Sequence, residues 1–421
     1  MNILVIGNGF DLAHGLPTKY GDFLEFVDTV EEYYLKKRKN LKKGCKIEKY
    51  LEKEIKPEIL EELVNCVQGN MWLDYLKKAK IQTGWIDFER AISIAIQSMD
   101  NSISKVKTLV KSNRKGFSIN DRIGDFIDII IEKFKLKPKI FYQYVIPNEY
   151  RTDNIFDIKY DIQIKEDLDK LIRALEIYLS EYVEKLDCGK VTPDIMNTSF
   201  DAILSFNYTH TYMKLYDPSG ECKYNYIHGE TNSAGSIQTN NMVLGIDEYL
   251  SDERKDKDVD FIVFKKYYQR IYKGTGCEYK KWLNQIQNKY AIYLENRAYC
   301  EEMWRKARQR GDFMEASKWS VEIQRIDEEK EINNLYIFGH SLDVTDRDIL
   351  RDLILHDNVY TTIYYHKTYD DNSKDDNGRK DLGSKIANLV KMIGQDELIR
   401  RTGGSTKTIE FKLQQDMVER T

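Results

Sequence analysis

The sequence begins with MNILVIGNGFD, residues 1–11, and this stretch decides the fold class. An apolar run from Met1 to Ile6 ends at Gly7. A short apolar run with a glycine stop is typical of a buried strand in a parallel sheet. Gly7 and Gly9 permit a sharp turn after the strand, and a helix that follows such a turn can direct free N–H groups at a ligand phosphate.

The turn after this strand is the first candidate ligand-binding segment. Leu12 stands where a full GxGxxG pattern has its third glycine, so two interpretations remain open. The segment is either a nucleotide-binding loop or a tight strand-to-helix turn in which Asp11 is the helix N-cap. The candidate residues are Gly7, Asn8, Gly9, Phe10 and Asp11.

Further strand-like runs follow, separated by helical segments. They cover residues 202–206, 224–227, 242–245, 335–338, 361–365 and 408–413, and a closing helix is predicted over 382–398. This alternation predicts an α/β, Rossmann-type fold with a mostly parallel sheet and large helical insertions.

The helical block between the first two strands is too long for one crossover. We therefore predict that residues 31–199 form an inserted, mainly helical cap domain. Residues 1–30 and 200–421 then form the α/β nucleotide-binding domain, which carries a helical insertion at about 251–334. Phe88, Ile92, Ala95 and Met99 follow Trp85 at helical spacing and mark the clearest helix of the block.

Composition excludes several classes of protein. The chain has 421 residues, 41% of them hydrophobic, and a net charge of −4, which does not indicate a nucleic-acid partner. It has no apolar run of membrane-spanning length and no signal peptide, so we expect a cytoplasmic protein. The six cysteines form no CxxC pair, which predicts reduced thiols and no metal site.

Two candidate segments follow the next strands. In SFNYT, residues 205–209, the Asn207 amide can hold a ribose hydroxyl or a water, and Tyr208 lies beside it. In YIHG, residues 226–229, His228 can act as a base, and Gly229 follows it. The simpler interpretations are a helix cap for Asn207 and a structural role for His228.

The last candidate segment is FGHSL, residues 338–342, which Asp346 follows. Gly339 permits a close approach of a ligand, and Ser341 offers a hydroxyl and an N–H group, although a second strand-end turn capped by Ser341 is equally compatible. We also assign His340, Leu342 and Asp346 to the binding site. All these segments lie at carboxyl ends of predicted strands, where open α/β sheets bind ligands, so they predict one shared cleft.

The opening NILVIGNGFDLAHGLPTKYGDF resembles the start of AbiH-type abortive-infection proteins, which act in bacterial defence against phage. The later segments GWIDFERAI, LSFNYTHTY, YIHGE and IFGHSLDVTD agree with that family in order and spacing. Trp85, Asp87 and Glu89 match its W-x-D-x-E pattern. Acidic residues favour the first turn of a helix, which suffices to explain Asp87, whereas a role for Glu89 in the cleft stays open.

The same segments are similar, more distantly, to sirtuin-like NAD-binding domains. The glycine loop matches GAGxS, and Gly339, Ser341 and Leu342 match a GTSL-like segment. Asn207 and His228 match the catalytic pair of that family. Phe10-Asp11 and Thr209 depart from the pattern, and Thr209 stands where an Asp is common.

The resemblance implies a sirtuin-like enzyme of phage defence that cleaves NAD to nicotinamide and ADP-ribose. NAD would be the substrate, and a component derived from the phage would be the trigger. The protein would be able to assemble as a homo-oligomer. Because the zinc-binding cysteine module of deacylating sirtuins is absent, we expect a glycohydrolase and no deacylase. The alternatives are a sensor that binds NAD, ADP-ribose or another nucleotide without cleaving it, and an ADP-ribosyltransferase.

Overall fold

A six-stranded parallel sheet lies at the centre of the structure. The structure is a computed structural model, and it describes residues 1–35, 46–78, 88–97, 161–247, 262–367 and 378–420. Its strands are β1 (Asn2–Ile6), β3 (Ala202–Ser205), β4 (Lys223–Tyr226), β5 (Asn333–Phe338), β6 (Val359–Tyr365) and β7 (Ile409–Leu413). Their spatial order is β4-β3-β1-β5-β6-β7. Counted along the chain this is the 3-2-1-4-5-6 order of doubly wound nucleotide-binding folds, so the predicted Rossmann-like α/β class is confirmed.

Helices fill most of the remaining described chain. They are α1 (Asn8–Ala13), α2 (Tyr20–Val30), α3 (Lys46–Lys53), α4 (Pro57–Val67), α5 (Met71–Lys78), α6 (88–97), α7 (Asp161–Ile177), α8 (Pro193–Met196), α9 (Thr211–Tyr216), α10 (Lys266–Lys273), α11 (Tyr279–Gln309), α12 (Phe313–Glu328), α13 (Arg347–Ile354), α14 (Arg379–Ile393) and α15 (Gln395–Thr402). A short antiparallel pair, β2 (Lys190–Val191) and β8 (Val418–Glu419), lies apart from the main sheet and was not predicted.

The first strand is buried on both faces over residues 3–6, as the unbroken apolar run of these residues predicts. Alternate side chains point to opposite sides of a sheet. Ile3 and Val5 therefore join the hydrophobic cluster on one face, and Leu4 and Ile6 join the cluster on the other. Because β1 pairs with β3 on one side and β5 on the other, the loop after β1 lies at the point where the strand order reverses.

The inserted helices have a hydrophobic core of their own. It combines side chains of α2 to α7 with the buried segment around Met242 and Leu244. Phe88, Ile92 and Ala95 are all buried in it, which confirms the helical spacing, whereas Trp85 and Met99 lie outside the described residues. The division into a cap domain and an α/β domain stays a prediction.

Two sequence predictions of secondary structure were wrong. The run 242–245 is buried but forms no strand, because a side chain replaces the neighbouring strand: Gln269 bonds both the N–H and the carbonyl of Leu244, at 3.0 Å each. The predicted closing helix over 382–398 is two helices. Gly394, with a φ of 90°, separates α14 from α15.

Glycines bring the loops after β1 and β5 into direct backbone contact. The Gly9 N–H donates to the Gly339 carbonyl at 2.8 Å. A Cβ at Gly9 would lie 2.7 Å from that carbonyl oxygen, and one at Gly339, where φ is 67°, would lie 2.2 Å from the Phe10 nitrogen. No real side chain has contacts this short, so both loops require glycine.

Gly339→Ala is therefore expected to destabilise the protein by about 2–4 kcal/mol, because the methyl group meets rigid backbone and the left-handed φ adds strain. Urea unfolding monitored by circular dichroism measures the change. Gly383→Ala is the matched control: Gly383 lies in α14 with open space around its Cβ position, and alanine there should be neutral or stabilising. Equal stability of the Gly339 and Gly383 variants would contradict the close loop contact.

A charged cluster joins the loops after β3 and β4 to the helical insertion. The two ring nitrogens of His210 lie 2.9 Å from Glu184 and 2.9 Å from Glu230. Thr231 also donates to Glu184. Although burial works against a charged ring, the hydrogen bonds and charges of the two carboxylates raise the pKa of His210 to about 9. The ring is therefore a cation at neutral pH.

Since the folded-state pKa of His210 lies above its unfolded value of 6.5, its contribution to stability is complete below about pH 6.5 and lost as the pH rises through about 9. Wild type should exceed His210→Gln in unfolding free energy by about 2 kcal/mol at pH 6 and by much less at pH 9. Denaturant titrations at several pH values measure the difference. His366→Gln, at a largely exposed ring, is the control, and a pH-independent difference would contradict the assignment.

Candidate functional site

A cavity of about 470 Å³ lies where the loops after β1, β3, β4 and β5 converge. This is the carboxyl edge of the sheet and the size range of small-molecule sites. Most of the predicted site residues line it: Gly7, Asn8, Gly9, Asp11, Asn207, Tyr208, His228, Gly339, His340, Ser341 and Asp346. The predicted convergence of the four segments is therefore seen in the structure.

Three predicted residues are absent from the cavity wall. Phe10 packs its side chain between the sheet and α9, against Tyr212 and Phe338. Leu342 is fully buried in the hydrophobic core and adopts a left-handed φ of 59°. Gly229 provides a turn, with a φ of 78°, at a point where Asn241 leaves no space for a side chain. All three shape the loops and do not face the cavity.

The helix-capping roles considered for Asp11 and Asn207 are not observed, whereas Ser341 does cap the turn after β5. Asp11 lies inside α1, whose N-cap is Gly7. The Asn207 amide donates to the Gly7 carbonyl at 3.0 Å and so joins the loops after β3 and β1, while His210 is the N-cap of α9. Ser341 accepts from the Asp343 N–H within its own loop.

Asp346 lies between two histidines of the cavity wall. Its carboxylate oxygens are 3.3 Å from Nε2 of His340 and 3.6 Å from Nε2 of His228. The Leu342 N–H donates to Nδ1 of His340, so the neutral ring of His340 carries its proton on Nε2, facing Asp346. Among the described residues, Nδ1 of His228 has no hydrogen-bond partner although it is buried.

The environment keeps His228 neutral and Asp346 charged. Burial lowers the pKa of His228, the nearby Lys266 lowers it further, and Asp346 offsets this only in part. Burial by itself raises the pKa of Asp346. Its contacts with His228 and His340 and the charge of Lys266 outweigh burial and hold this pKa well below the usual value. A neutral imidazole beside a carboxylate can accept a proton, and the carboxylate can stabilise the resulting cation.

In α1, Asp11 lies at the end of a short chain of hydrogen-bonded hydroxyl groups. Thr211 donates to Thr209 at 3.2 Å, and Thr209 donates to Oδ2 of Asp11 at 2.6 Å. Burial raises the pKa of Asp11 to about 6, although the nearby side chains of Thr209, Thr211 and Asn207 act against it. The carboxyl group is therefore mostly ionised at neutral pH while almost fully enclosed.

Lys266 also lines the cavity and was not predicted from the sequence. Its ammonium group is buried and lies 2.7 Å from Glu89 of α6. Burial opposes its charge, but Glu89, Asp346 and Asp247 outweigh burial and raise its pKa. Glu89, whose role the sequence left open, thus contributes to the cavity wall, whereas Asp87 lies outside the described residues. Lys266 stands in a lysine-rich stretch where no pattern distinguishes it from its neighbours.

The start of α1 has fewer free donors than a phosphate-binding loop. The Gly9 N–H is bonded to Gly339, and the Phe10 N–H is bonded to the Gly7 carbonyl at 2.8 Å. Positive charge at the cavity comes from Lys266 and from the exposed Lys19. A ligand phosphate would depend mainly on such side chains, since carboxylates repel it.

Neither a metal site nor a membrane span is found in the described ranges. Among those residues, no group of three or more His, Cys, Asp or Glu side chains is arranged to hold a metal ion. None of the helices described is both long and apolar enough to cross a membrane.

A comparison with known protein families identifies the family of the chain. The family model for bacteriophage abortive infection AbiH matches residues 3–366, a range that includes every loop of the cavity. No curated protein matches the chain. Since the family model covers most of the sequence, the chain belongs to the AbiH family of bacteriophage abortive infection proteins.

Proposed function

We propose that the cavity binds NAD and hydrolyses it to nicotinamide and ADP-ribose as the toxic step of abortive infection. One observation carries the proposal: His228 lines a cavity that spans the topological switch point of a Rossmann-like sheet, and its neutral, buried Nδ1 has no hydrogen-bond partner among the described residues. Asn207 belongs to the same cavity wall. Open α/β sheets bind dinucleotides at this point. The sirtuin-like resemblance of the same loops favours NAD among the possible ligands.

Hydrolysis requires little chemistry from the protein. The bond between ribose C1′ and the nicotinamide nitrogen breaks, and its electron pair neutralises the cationic ring. A water oxygen forms the new bond to C1′, and the proton released by that water passes to Nδ1 of His228. Asp346 then stabilises the His228 cation. The remaining requirement is to hold the dinucleotide and exclude bulk water from the reacting bond.

Asn207 supports this step through the position of the glycine loop. Its amide group is committed to the Gly7 carbonyl, so its removal would loosen the loop as well as change the cavity wall. The phosphates are assigned to Lys19, Lys266 and the hydroxyl of Ser341, which all line the cavity. In this arrangement Lys266 exchanges Glu89 for a ligand anion when NAD binds.

His228→Ala should lower NAD cleavage by about 10²–10⁴-fold, since it removes the proposed base. Asn207→Ala should lower cleavage as well, because it releases the glycine loop from its bond with the Asn207 amide. The measurement is chromatographic release of nicotinamide by purified protein, with equal amounts of ADP-ribose formed. His366→Ala, at a largely exposed histidine outside the cavity wall, is the matched control and should keep full activity.

The products separate the possible functions. Label transferred from NAD to a protein would identify an ADP-ribosyltransferase, and binding without release of nicotinamide would identify a sensor. Circular dichroism confirms that each variant is folded. Full activity of folded His228→Ala would remove His228 from the mechanism.

The same site suggests how the enzyme stays inactive before infection. A freely active NAD hydrolase would kill its host, so access to the cavity must be controlled. Glu89 comes from the long helical insertion and Lys266 from the second one, and their ion pair joins both insertions at the cavity wall. A phage-derived trigger that binds the open arrangement more tightly would shift the protein towards activity.

Cellular NAD is accordingly expected to stay constant in uninfected cells that express the protein and to fall after phage infection. Cells that express His228→Ala should keep their NAD in both conditions. Mass spectrometry of extracts taken before and after infection measures this. An equal fall without infection, or with the variant, would contradict a triggered hydrolase.

A further inference from the structure

We propose that Asp11 is a ligand-binding residue whose free carboxylate oxygen accepts a hydrogen bond from a sugar hydroxyl, so that the loop after β1 binds the ribose next to the reaction centre instead of a phosphate. The inference deepens the proposed NAD site and rests on it for the identity of the ribose.

The hydrogen bonds of Asp11 leave one oxygen for a ligand. Thr209 donates to Oδ2 at 2.6 Å, and Thr211 donates to Thr209, so both hydroxyl protons are directed along the chain towards the carboxylate. Oδ1 has no hydrogen-bond partner among the described residues, although the side chain is about 1% exposed. Asp11 also lines the cavity, so a ligand there can reach a buried acceptor that the protein leaves without a donor.

The charge of Asp11 specifies the ligand group. A buried carboxylate repels a phosphate, whereas it forms strong hydrogen bonds with hydroxyl groups. Two donors at the start of α1, the Gly9 and Phe10 N–H groups, are engaged by backbone carbonyls, so this loop offers fewer donors to an anion. A sugar hydroxyl fits both observations, because it is uncharged and donates a proton.

Several ionisable groups surround Asp11 and bear on any pH dependence. Glu184 lies close enough to raise the pKa of Asp11, and it is itself paired with the His210 cation. The thiol of Cys188 and the hydroxyl of Tyr226 also interact with Asp11, and burial keeps the pKa of each above its usual value. Neither of these two carries charge at neutral pH, and although burial opposes its charge, the contacts of Glu184 with His210 and Lys214 lower its pKa and keep it ionised. Asp11 is therefore the group of this set that titrates between pH 5 and pH 7.5.

The first measurement needs no ligand. Because the pKa of Asp11 is raised in the folded state, ionisation of Asp11 destabilises the free protein as the pH rises from about 4 through about 6. Asp11→Asn keeps the shape and the acceptor for Thr209 but cannot ionise. Its unfolding temperature should exceed that of wild type by on the order of 2 °C at pH 7.5, with a smaller difference at pH 5.

The second measurement compares ADP-ribose with ADP, which lacks the terminal ribose, by isothermal titration calorimetry. Asp11→Asn should weaken ADP-ribose binding by about 10- to 100-fold and change ADP binding by less than about two-fold. Asp28→Asn, at an exposed carboxylate of α2, is the matched control and should change neither affinity.

The outcomes separate the inference from the proposed function. Asp11→Asn that is less stable than wild type at both pH values, or that binds ADP-ribose as tightly as wild type, overturns the role of Asp11. Wild type that binds neither nucleotide overturns the NAD proposal alone. In that case a stabilised Asp11→Asn variant still supports a carboxylate that serves to bind a ligand. Removal of a carboxylate with a structural role would instead destabilise the free protein.

Discussion

The backbone hydrogen bond from the Gly9 N–H to the Gly339 carbonyl is the contact on which the rest of the site depends. It joins the ends of β1 and β5, the two central strands between which the strand order reverses. Glycine is required on both sides, because a Cβ on either residue would overlap the other loop. The Gly9 N–H is also a donor that would bind the ligand in a phosphate-binding loop, whereas here it is bonded to Gly339. In this protein the glycines therefore serve first to pack two loops against each other.

The cavity wall contains two buried carboxyl groups in different environments. Asp11 on one side and Asp346 on the other are both buried, yet their environments move their pKa values in opposite directions. Asp346 has two histidines and Lys266 for neighbours and stays charged, while Asp11 is surrounded mainly by neutral hydroxyl groups. Such a difference between two carboxyl groups favours separate tasks, one supporting the base and one contacting the ligand.

Sequence patterns predicted the sheet well because its strands are buried. Short apolar runs with glycine or polar stops located β1, β3 and β5, and the rule that ligands bind at carboxyl ends of strands brought Asn207 and His228 into one cavity. The run 242–245 was misassigned because burial alone does not distinguish a strand from a buried loop supported by Gln269.

Residues that act through long-range contacts could not be predicted. Lys266 becomes part of the site only because the fold places it against Glu89, which lies 177 residues away in the sequence. Asp11 and Thr209 were noted separately as departures from the sirtuin-like pattern, and only the structure shows that they are hydrogen-bonded to each other. Periodicity and local motifs contain no information about such pairs, since the partners come from different segments.

The central claim is that the loops after four strands form one nucleotide site, and hydrogen–deuterium exchange with and without ADP-ribose tests it most directly. The account predicts slower exchange in all four segments, residues 7–11, 205–210, 226–229 and 339–346, and unchanged exchange in the paired helices α11 and α12. Unchanged exchange in the four segments, or protection confined to the paired helices, would contradict it.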